Sequence, residues 1–546
     1  MSAVVPPVSK RRAAFGRRLN PPLPQTVRTL WVVFGDQLDP RFSVFRKHFD
    51  KAHDAVLMAE VDEESRHVLS HVQRTTLFLS AMRHYAHSLS ARDVRVRYVT
   101  LDDADNTQSL DGEVRRAVGE LQPERLAVIR PGEWRMVTMV EAWAGSLQLP
   151  LTMHEDPHFF TTPAEFGEWA TGRRTMVMEH FYRVIRKRLG ILIAPDGGPE
   201  GGTWNFDADN RKAYRGDRDT LPPRVRHEPD DITRDVMAMV RKRLGDLPGR
   251  LDDFNWPVTR EQALAELRDF ITHRLAHFGD YQDAMVVGRP WMYHSLLSAP
   301  MNLKLLDPRD IVTLAVEAYR RGEAPLNAVE GFVRQIIGWR EFIRGVYWHE
   351  GAGYGARNAL GQTYSLPSMY WTGTSAMQCM RESLGEVLSN GFGHHIQRLM
   401  VTGNFAMVAG VHPREISDWY LGMYVDAIDW VSLPNTLGMS QHADGGVVGT
   451  KPYAASGRYI DRQGDYCKGC RFSPGVRLGD DACPFTTFYW DFLLRHRATF
   501  AGNHRMAMPL KNLDAMSDQE RTAIAARANA VRDSLGMRPM AAPTSR

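Results

Sequence analysis

The sequence predicts two folded domains, an N-terminal α/β domain with a doubly wound parallel sheet and an all-α C-terminal domain. The chain has 546 residues, which is too long for one compact core. Short apolar runs alternate with helical patterns up to about residue 155, and this alternation indicates βαβ units. From about residue 256 onward, helical periodicity dominates.

Each strand of the predicted sheet is a short apolar run. The runs are Thr29–Phe34, Ala55–Ala59, Val94–Val99, Leu126–Ile129 and Leu149–Met153, and the helical patterns between them are Arg74–Ser90, Glu113–Leu121 and Met136–Leu147. Parallel sheets bind ligands beyond the carboxyl ends of their strands, and the first run is followed there by Gly35, Asp36 and Gln37. A small ligand is expected at this point. No G-x-G-x-x-G motif follows the strand, which argues against a dinucleotide site.

Composition divides the chain into four regions. Residues 1–28 are basic, lack acids and predict a disordered tail, with a phosphate-tethering arm or a targeting peptide as alternatives. The α/β domain spans residues 29–155, and an irregular connector, expected to lie over the surface, spans residues 156–255 around a basic helix at Tyr182–Arg188. The helical domain spans residues 256–546, with helices at Thr259–Phe278, Pro308–Arg321, Asn327–Trp348, Met377–Leu388, His394–Ala409 and Pro413–Tyr424.

The overall composition is that of an ordinary globular protein. Hydrophobic residues make up 43% and charged residues 24%, and the formal net charge is +4, which neither requires nor excludes nucleic acid as a partner. There is no run of 18 apolar residues and no apolar signal core at the N-terminus. We therefore expect a soluble, cytoplasmic protein without membrane contact.

The four cysteines form a pattern suited to one metal centre. Cys467 and Cys470 are a C-x-x-C pair, Cys483 follows after twelve residues, and Cys379 lies upstream. Four thiolates complete the ligand set of either a zinc ion or an iron–sulfur cluster, and spacing alone does not separate the two. Unrelated buried thiols are the remaining alternative.

Several motifs in the helical domain are more specific when they are taken together. They are His294–Ser298, Gln335–Phe342, Gly393–Phe405, Asp426–Trp430 and Gly449–Gly457. With Gly35–Leu38, Asp102–Asn106, Pro131–Arg135 and Tyr489–Phe492, they resemble the cryptochrome/photolyase superfamily, and within it the iron–sulfur bacterial branch, the prokaryotic (6-4) photolyases. The resemblance covers nearly everything after the tail.

This resemblance implies an N-terminal antenna domain and a C-terminal domain that holds FAD noncovalently. It also favours a four-iron, four-sulfur cluster over zinc at the four cysteines. The flavin-pocket residues that it implies are Ser295, Ser298, Gln335, Arg340, Arg398, Asp426 and Asp429. Ser432 stands near the flavin N5 position, where the branch usually has an acid, so photoreduction of the flavin is expected to change.

The implied activity is light-dependent repair of (6-4) pyrimidine photoproducts in DNA by an electron from photoexcited reduced FAD. Opening the adduct needs a proton, and a histidine can donate one near neutral pH. His395 matches the family's proton donor, and His394 is its neighbour. The implied lesion and DNA residues are Asp207, Arg211, Asp283, Met439, Lys451, Tyr453 and Tyr459, and the implied electron relay is Trp371, Trp419 and Tyr420.

The branch binds 6,7-dimethyl-8-ribityllumazine as its antenna, and Asp36, Gln37 and Glu64 are the matching residues. The sequence departs from the branch around His67–Thr76, which is less basic here, and at Phe78, which replaces a smaller aliphatic residue.

Two other functions remain as alternatives to a monomeric repair enzyme acting on UV-damaged DNA. One is a blue-light photoreceptor of the cryptochrome type with little or no repair activity. The other is a metal-stabilised nucleic-acid-binding protein without flavin, which would be colourless in the flavin absorption range.

Overall fold

The computed structural model describes residues 19, 26–39, 41, 44–173 and 175–540, and for residues 45 and 46 it describes the backbone alone. Most of the predicted basic tail therefore lies outside the described residues. Five parallel strands form one sheet: β1 Thr29–Val32, β2 Ala55–Ala59, β3 Val96–Val99, β4 Arg125–Ile129 and β5 Leu151–His154. All five predicted strands are confirmed.

The strand order is β3-β2-β1-β4-β5, so the chain winds outward from β1 in both directions. Within this domain the helices are α1 Phe45–His48, α2 Asp62–Arg66, α3 Val72–Ser90, α4 Leu110–Leu121 and α5 Trp134–Ser146. Alternate strand residues face opposite sides. Trp31 and Val56 pack in the same core as α3, whereas Leu30 and Leu57 pack with α4 and α5. The predicted doubly wound sheet is confirmed, with its switch point between β1 and β4.

Helices account for the regular structure of the remaining described chain. They are α6 Pro163–Ala170, α7 Met178–Leu189, α8 Asp231–Arg243, α9 Arg260–His273, α10 Leu275–Tyr281, α11 Ser298–Asn302, α12 Pro308–Arg320, α13 Leu326–Val333, α14 Glu341–Glu350, α15 Met369–Thr372, α16 Gln378–Asn390, α17 Asn404–Ala409, α18 Pro413–Met423, α19 Asp429–Pro434, α20 Gly457–Gln463, α21 Pro484–Arg495, α22 Arg497–Phe500, α23 Ala507–Asp514 and α24 Asp518–Ser534. None of the helices in the described part of the chain is long and apolar enough to cross a bilayer.

Three π-helical segments interrupt these helices. The first is Arg334–Arg340, between α13 and α14; the second is Gln397–Gly403, before α17; the third is Asn435–Ser440, after α19. A π-helix makes i→i+5 hydrogen bonds and shifts the side chains that follow, and such segments often occur at functional sites. The first two fall on motifs singled out in the sequence, and the third contains Met439, one of the implied lesion residues.

Two expectations about this region need correction. The single helix expected over Thr259–Phe278 breaks at Arg274, whose guanidinium is buried and donates to the carbonyl of His294 at 3.1 Å. The connector does more than lie over the surface. Phe181 and Tyr182 of α7 are buried in the same core as the helical domain, so part of residues 156–255 is structurally integral to it.

Candidate active site

The two adjacent histidines begin the second π-helical segment, and hydrogen bonds fix the turn that carries them. The backbone N–H of His394 donates to Oε1 of Gln397 at 3.0 Å, and the backbone N–H of Arg398 donates to the carbonyl of His394 at 3.0 Å. The Arg398 Nε donates to the carbonyl of Gly393 at 2.5 Å. A glutamine that reaches back to the N-terminal N–H is half of a capping box. His395 is thus held on the first turn of a fixed helix start.

Arg398 and Asp426 form the ion pair that the sequence predicted. The two guanidinium NH₂ groups lie 3.0 and 3.1 Å from the two carboxylate oxygens, which is bidentate geometry. Burial opposes the positive charge, but Asp426 outweighs it and raises the pKa of Arg398. The Ser298 hydroxyl donates to Asp426 at 2.6 Å, and the Asn302 side chain donates to its backbone carbonyl at 2.8 Å. Ser298, Arg398 and Asp426 therefore meet as predicted.

Other predicted flavin residues lie around this pair without contacting it among the described contacts. Gln335 donates to the carbonyl of Gly331 at 3.0 Å, and Ser295 accepts from the backbone N–H of Leu297 at 3.4 Å. The carbonyl of Ser432 accepts from the Thr436 hydroxyl at 2.8 Å. Each of these contacts is with a residue two to four positions away, and the flavin role of Ser295, Gln335 and Ser432 stays a prediction.

Arg340 and Asp429 face the boundary with the α/β domain. The Arg340 guanidinium is buried, lies 3.2 Å from Nδ1 of His158, and stacks 4.0 Å from the ring centre of Phe159. Burial lowers its pKa to about 10. Asp429 accepts from the Tyr347 hydroxyl at 2.5 Å, and burial raises the pKa of Asp429 to about 7. These contacts place both residues in the domain boundary, where periodicity and motif matching gave no indication of such a role.

The predicted lesion residues Asp207, Arg211, Asp283 and Tyr459 come together. Arg211 donates to Asp207 at 2.8 Å, and its Nε lies 3.8 Å from Asp283. Burial raises the pKa of Asp283 to about 6, against the charge of Arg211. Burial, with the nearby Asp283 carboxylate, raises the pKa of Tyr459 to about 12. Arg211 has a positive φ of 68°, a conformation that non-glycine residues adopt rarely and often at functional sites.

His395 faces the same space. Part of its side chain is accessible to solvent, but the protein atoms around the imidazole remove most of its hydration. This desolvation, together with the positive charges of Arg398 and Arg211, lowers the pKa of His395 to about 4. The imidazole is therefore neutral at pH 7, with one ring N–H. Because the charge of Arg211 acts on both His395 and Asp283, the histidine turn lies near the lesion residues, and the space between them is called the cleft below.

Behind this turn, His394 stacks on His294 with ring centres 4.3 Å apart. Both rings are buried, and burial lowers the pKa of His294 to about 3 and that of His394 well below its usual value. His394 Nδ1 and His294 Nε2 have no hydrogen-bond partner among the described residues. His394 is thus a packing neighbour of His395, as expected, and its partner His294 was missed by motif matching.

Lys451 and Tyr453 lie in a loop that packs on the third π-helical segment, and Met439 belongs to that segment. Met439 is buried within that segment, and Lys451 and Tyr453 are half-buried. A Cβ placed on Gly449 would lie 3.5 Å from the Gly438 carbonyl and 3.6 Å from the Tyr453 ring, so this loop and the segment are in close contact. No described contact joins the three side chains to Asp283 or His395, and their DNA role stays a prediction.

Aromatic rings form a continuous path to the Arg398–Asp426 pair. The buried Trp419 ring lies 5.1 Å from Tyr370 and 5.4 Å from Tyr420. Tyr420 stacks on Tyr424 at 5.2 Å, and the Arg398 guanidinium lies 3.8 Å above Tyr424.

The ends of this path add two rings to the predicted relay. Trp371 is 37% exposed and has no ring contact among the described residues. Its chain neighbour Tyr370 makes the contact with Trp419 instead, and its hydroxyl donates to the carbonyl of Thr402 at 2.6 Å. Tyr424 was also missed, although its i, i+4 spacing from Tyr420 on a helix predicts contact.

The four cysteines are free thiols that lie near one another. Cys379 is in α16, Cys467 is in the short turn Tyr466–Gly469, and Cys483 immediately precedes α21. Burial, together with the other three thiols, raises the pKa of Cys379 well above its ordinary value, and burial raises that of Cys467 to about 12. Each of the six thiol pairs interacts electrostatically.

These thiols are not arranged as a single-ion site. In the described part of the chain, no group of three or more His, Cys, Asp or Glu side chains is placed to hold a metal ion. Tetrahedral zinc with bonds of about 2.3 Å would need sulfurs roughly 3.8 Å apart. A multinuclear cluster holds its thiolates farther apart than that.

A second concave site lies at the carboxyl ends of β1, β2 and β4, at the switch point of the sheet. Its cavity of about 100 Å³ is lined by Asp36 and Glu64, with Arg74, Phe78 and Glu133 among the other walls. Burial raises the pKa of Asp36 to about 6, against the charge of Lys304, whose Nζ lies 4.0 Å from the carboxylate. The predicted small-ligand site is therefore present.

Gln37 does not line this cavity. Its side chain donates to the carbonyl of Ile129 at 2.9 Å and accepts from the backbone N–H of Phe34 at 3.3 Å, which ties the end of β1 to the end of β4.

Gly132 lies at the floor of the cavity, where the two domains meet. A Cβ there would lie 2.8 Å from the Trp430 ring and 3.0 Å from the Asp36 carboxylate, so a larger residue does not fit.

Comparisons with known proteins identify the family. A family model described as deoxyribodipyrimidine photo-lyase-related protein matches residues 31–256. The (6-4) photolyase of Agrobacterium fabrum (strain C58) is 46% identical over 501 residues, which cover 92% of this chain and 98% of that protein.

Two solved structures share the fold. A class III photolyase from Agrobacterium tumefaciens aligns with a TM-score of 0.55 and 15% identity over 94% of this chain and 98% of its own. A cryptochrome from Synechocystis sp. PCC6803 aligns with a TM-score of 0.51 and 12% identity over 78% of this chain and 84% of its own. At these identities the two structures indicate the fold alone. From the 46% identity over nearly the full length of both proteins, the chain belongs to the photolyase and cryptochrome family, in the branch that contains the bacterial (6-4) photolyases.

Proposed function

We propose that this protein repairs (6-4) pyrimidine photoproducts in DNA with light, and that His395 supplies the proton that this reaction needs. The carrying observation is the cleft in which His395 shares Arg211 with Asp283 and shares the fixed helix start with Arg398. The near full-length similarity to a protein named (6-4) photolyase supports the same substrate.

FAD is the cofactor that the family implies, and the residues around Arg398 suit it. Arg398 and Asp426 are an oriented ion pair beside the cleft, and one buried ring nitrogen each of His394 and His294 lacks a hydrogen-bond partner among the described residues. Such groups can bind the polar edges of a bound flavin. Bound in its reduced form, FAD would supply the excited electron to the damaged bases and receive it back.

His395 would act as the general acid in its protonated, imidazolium form. At pH 7 its lowered pKa leaves the ring neutral in the free protein. A bound DNA strand adds phosphate charges, and negative charge nearby favours the imidazolium form. We therefore expect substrate binding to raise the pKa of His395, so that the proton is available when the lesion is in place.

The remaining cleft residues would bind the lesion after it leaves the base stack, which costs a few kcal/mol for an intact pair and less for a damaged one. Asp283 and Tyr459 would line the pocket for the flipped bases, and Arg211, held by Asp207, would keep Asp283 oriented. Met439 would supply an apolar wall, Tyr453 would stand at the rim, and Lys451 would contact the DNA backbone.

Electron supply to the resting cofactor would use the ring path from Tyr370 through Trp419, Tyr420 and Tyr424. The exposed Trp371, next in sequence to Tyr370, would be its outer terminus. The buried path is what an aromatic electron relay requires, since each step joins rings about 5 Å apart.

Two further groups complete the proposal. Cys379, Cys467, Cys470 and Cys483 would hold a four-iron, four-sulfur cluster, as the iron–sulfur branch of the family implies, and the cluster would stabilise this region and add a redox centre. The cavity at Asp36 and Glu64 would hold 6,7-dimethyl-8-ribityllumazine. There the buried Arg74 Nε lacks a partner among the described residues, and the antenna would supply absorbed light energy.

Illumination of the purified, reduced protein with defined oligonucleotides tests the substrate. One duplex carries a (6-4) photoproduct and the other a cyclobutane dimer, and chromatography measures restored thymines. We expect restoration of the first duplex and not of the second. Restoration of the cyclobutane dimer alone, or of neither under saturating light, would contradict the proposal, and the second result would favour a photoreceptor.

We further propose that the enzyme acts as a monomer in the cytoplasm.

A further inference from the structure

Gln397 uses both N–H donors and the oxygen of its side-chain amide. Its Oε1 accepts from the backbone N–H of His394 at 3.0 Å. Its Nε2 donates to Oε2 of Glu386 at 2.5 Å and to the hydroxyl of Tyr466 at 2.9 Å. One acceptor and two donors are thus matched by one donor and two acceptors, which fixes the orientation of the amide.

Its partners belong to two different sites. Tyr466 directly precedes Cys467 and is buried, and Glu386 lies on α16, the helix that also carries Cys379. On the other side, the amide holds the turn on which His395 stands. The contact Tyr466–Gln397–His394 is therefore a direct, buried connection between the four-cysteine site and the histidine turn.

We propose that Gln397 is a positioning residue through which the four-cysteine site holds His395 in the cleft. The inference rests on the proposed role of His395 as proton donor. Tyr466 is fixed by the adjacent Cys467, Gln397 is fixed by Tyr466 and Glu386, and the histidine turn is fixed by Gln397. A disturbed cysteine site would then slow repair by displacing His395, even when the flavin is fully reduced.

The geometry also predicts the direction of the effect. In the fixed turn, His395 is close enough to Arg398 and Arg211 for both to act on its charge. When the turn loosens, the imidazole gains contact with water and moves from these cations. Its titration should then shift toward that of a free histidine.

The sharpest variant is Tyr466→Phe, which deletes one acceptor oxygen and leaves the ring and Cys467 in place. The matched control is Tyr489→Phe, since Tyr489 lies on α21, makes an edge-to-face contact with Trp490 at 5.2 Å, and its hydroxyl has no described hydrogen bond. Gln397→Leu serves as a second variant that is remote in sequence from Cys467.

Four quantities are measured on each holoprotein: iron per chain, bound flavin, the repair rate with prereduced flavin, and the His395 titration by NMR of labelled histidine. For Tyr466→Phe and Gln397→Leu we expect the flavin content to be unchanged and the pKa of His395 to move nearer to 6.5. We expect repair to be roughly 5- to 100-fold slower, because the loss of one buried hydrogen bond has an effect of this size. Tyr489→Phe should match the wild type in all four.

Two results would overturn the inference. One is an unchanged His395 titration and repair rate in Gln397→Leu. The other is a Tyr466→Phe protein that loses iron while His395 titrates as in the wild type. The His395→Ala variant separates this inference from the proposed function. If that variant still repairs the lesion, His395 is not the donor; if it is inactive and Gln397→Leu is normal, only the connection is wrong.

Discussion

The cavity of the α/β domain and the cleft of the helical domain differ in how many of their buried polar groups have partners within the protein. At the cavity, Glu60 accepts two bonds from Arg83, at 2.6 and 2.8 Å, and one from the Tyr98 hydroxyl at 2.7 Å, and Arg135 makes a bidentate pair with Glu64. Most of its charges are matched by protein partners. Asp36, with a pKa raised to about 6, and Arg74, whose Nε lacks a partner among the described residues, are the exceptions named here.

In the cleft, by contrast, several titratable groups keep pKa values that burial has shifted away from their ordinary range. His395 has a pKa lowered to about 4, Asp283 has one raised to about 6, and the two stacked rings of His294 and His394 each have a nitrogen without a partner among the described residues. Perturbed groups gathered in one cleft are typical of catalytic sites. The comparison indicates that the cavity is built to bind and the cleft to react.

The largest expected effect comes from removing the reacting group of the cleft. His395→Ala should keep flavin and iron but lower the rate of (6-4) repair by about 10²- to 10⁴-fold, the usual contribution of a general acid. Single-turnover repair under saturating light measures it. His504→Ala, at an exposed histidine outside the cleft, is the control. Repair within threefold of the wild type in His395→Ala would break the distinction between the two regions.

A second prediction concerns the cysteine site. Cys379→Ser should lower the iron content to below about half and lower thermal stability, because this buried thiol interacts with the other three. Iron analysis and thermal melting check both. The cavity of the α/β domain should be unaffected, so ligand binding there serves as the internal control. Full iron with an unchanged melting temperature would show that Cys379 is not a ligand.

The smallest effect is expected for the relay. Trp419→Phe should slow photoreduction of the oxidised flavin by about tenfold or more, because phenylalanine is far harder to oxidise, while repair by chemically prereduced protein stays normal. Transient absorption measures the first rate and product analysis the second. Equal slowing of both would place Trp419 in the structural core of the cleft, not in a relay.

Much of the fold follows from the sequence, because apolar periodicity records burial directly. Each predicted strand ends within two residues of the observed one, as with Val94–Val99 against Val96–Val99. The break at Arg274 was not visible, because it depends on a long-range bond to the carbonyl of His294. The π-helical segments were not visible either, since a period of 3.6 residues does not reveal one inserted residue.

Sequence motifs predicted those site residues that lie within them. They did not predict residues whose role depends on contacts formed only when distant parts of the chain pack together. Arg398, Asp426 and Ser298 meet as the resemblance implied, and so do Asp283, Arg211 and Tyr459. Arg340 and Gln37 proved to be tied into other contacts, because the domain boundary and the sheet end use them. Tyr370, Tyr424, His294 and Gln397 were missed because their importance lies in ring contacts and amide bonds to distant residues.

The most direct test of the account is the titration of His395 by NMR in the holoprotein, with and without a (6-4) duplex, alongside the repair rate against pH. We expect a pKa near 4 in the free protein, a higher value with the duplex, and repair that falls as pH rises through this higher value, since the proton is then lost. A His395 pKa that the duplex leaves unchanged, or repair that is independent of pH across this range, would contradict proton donation by His395.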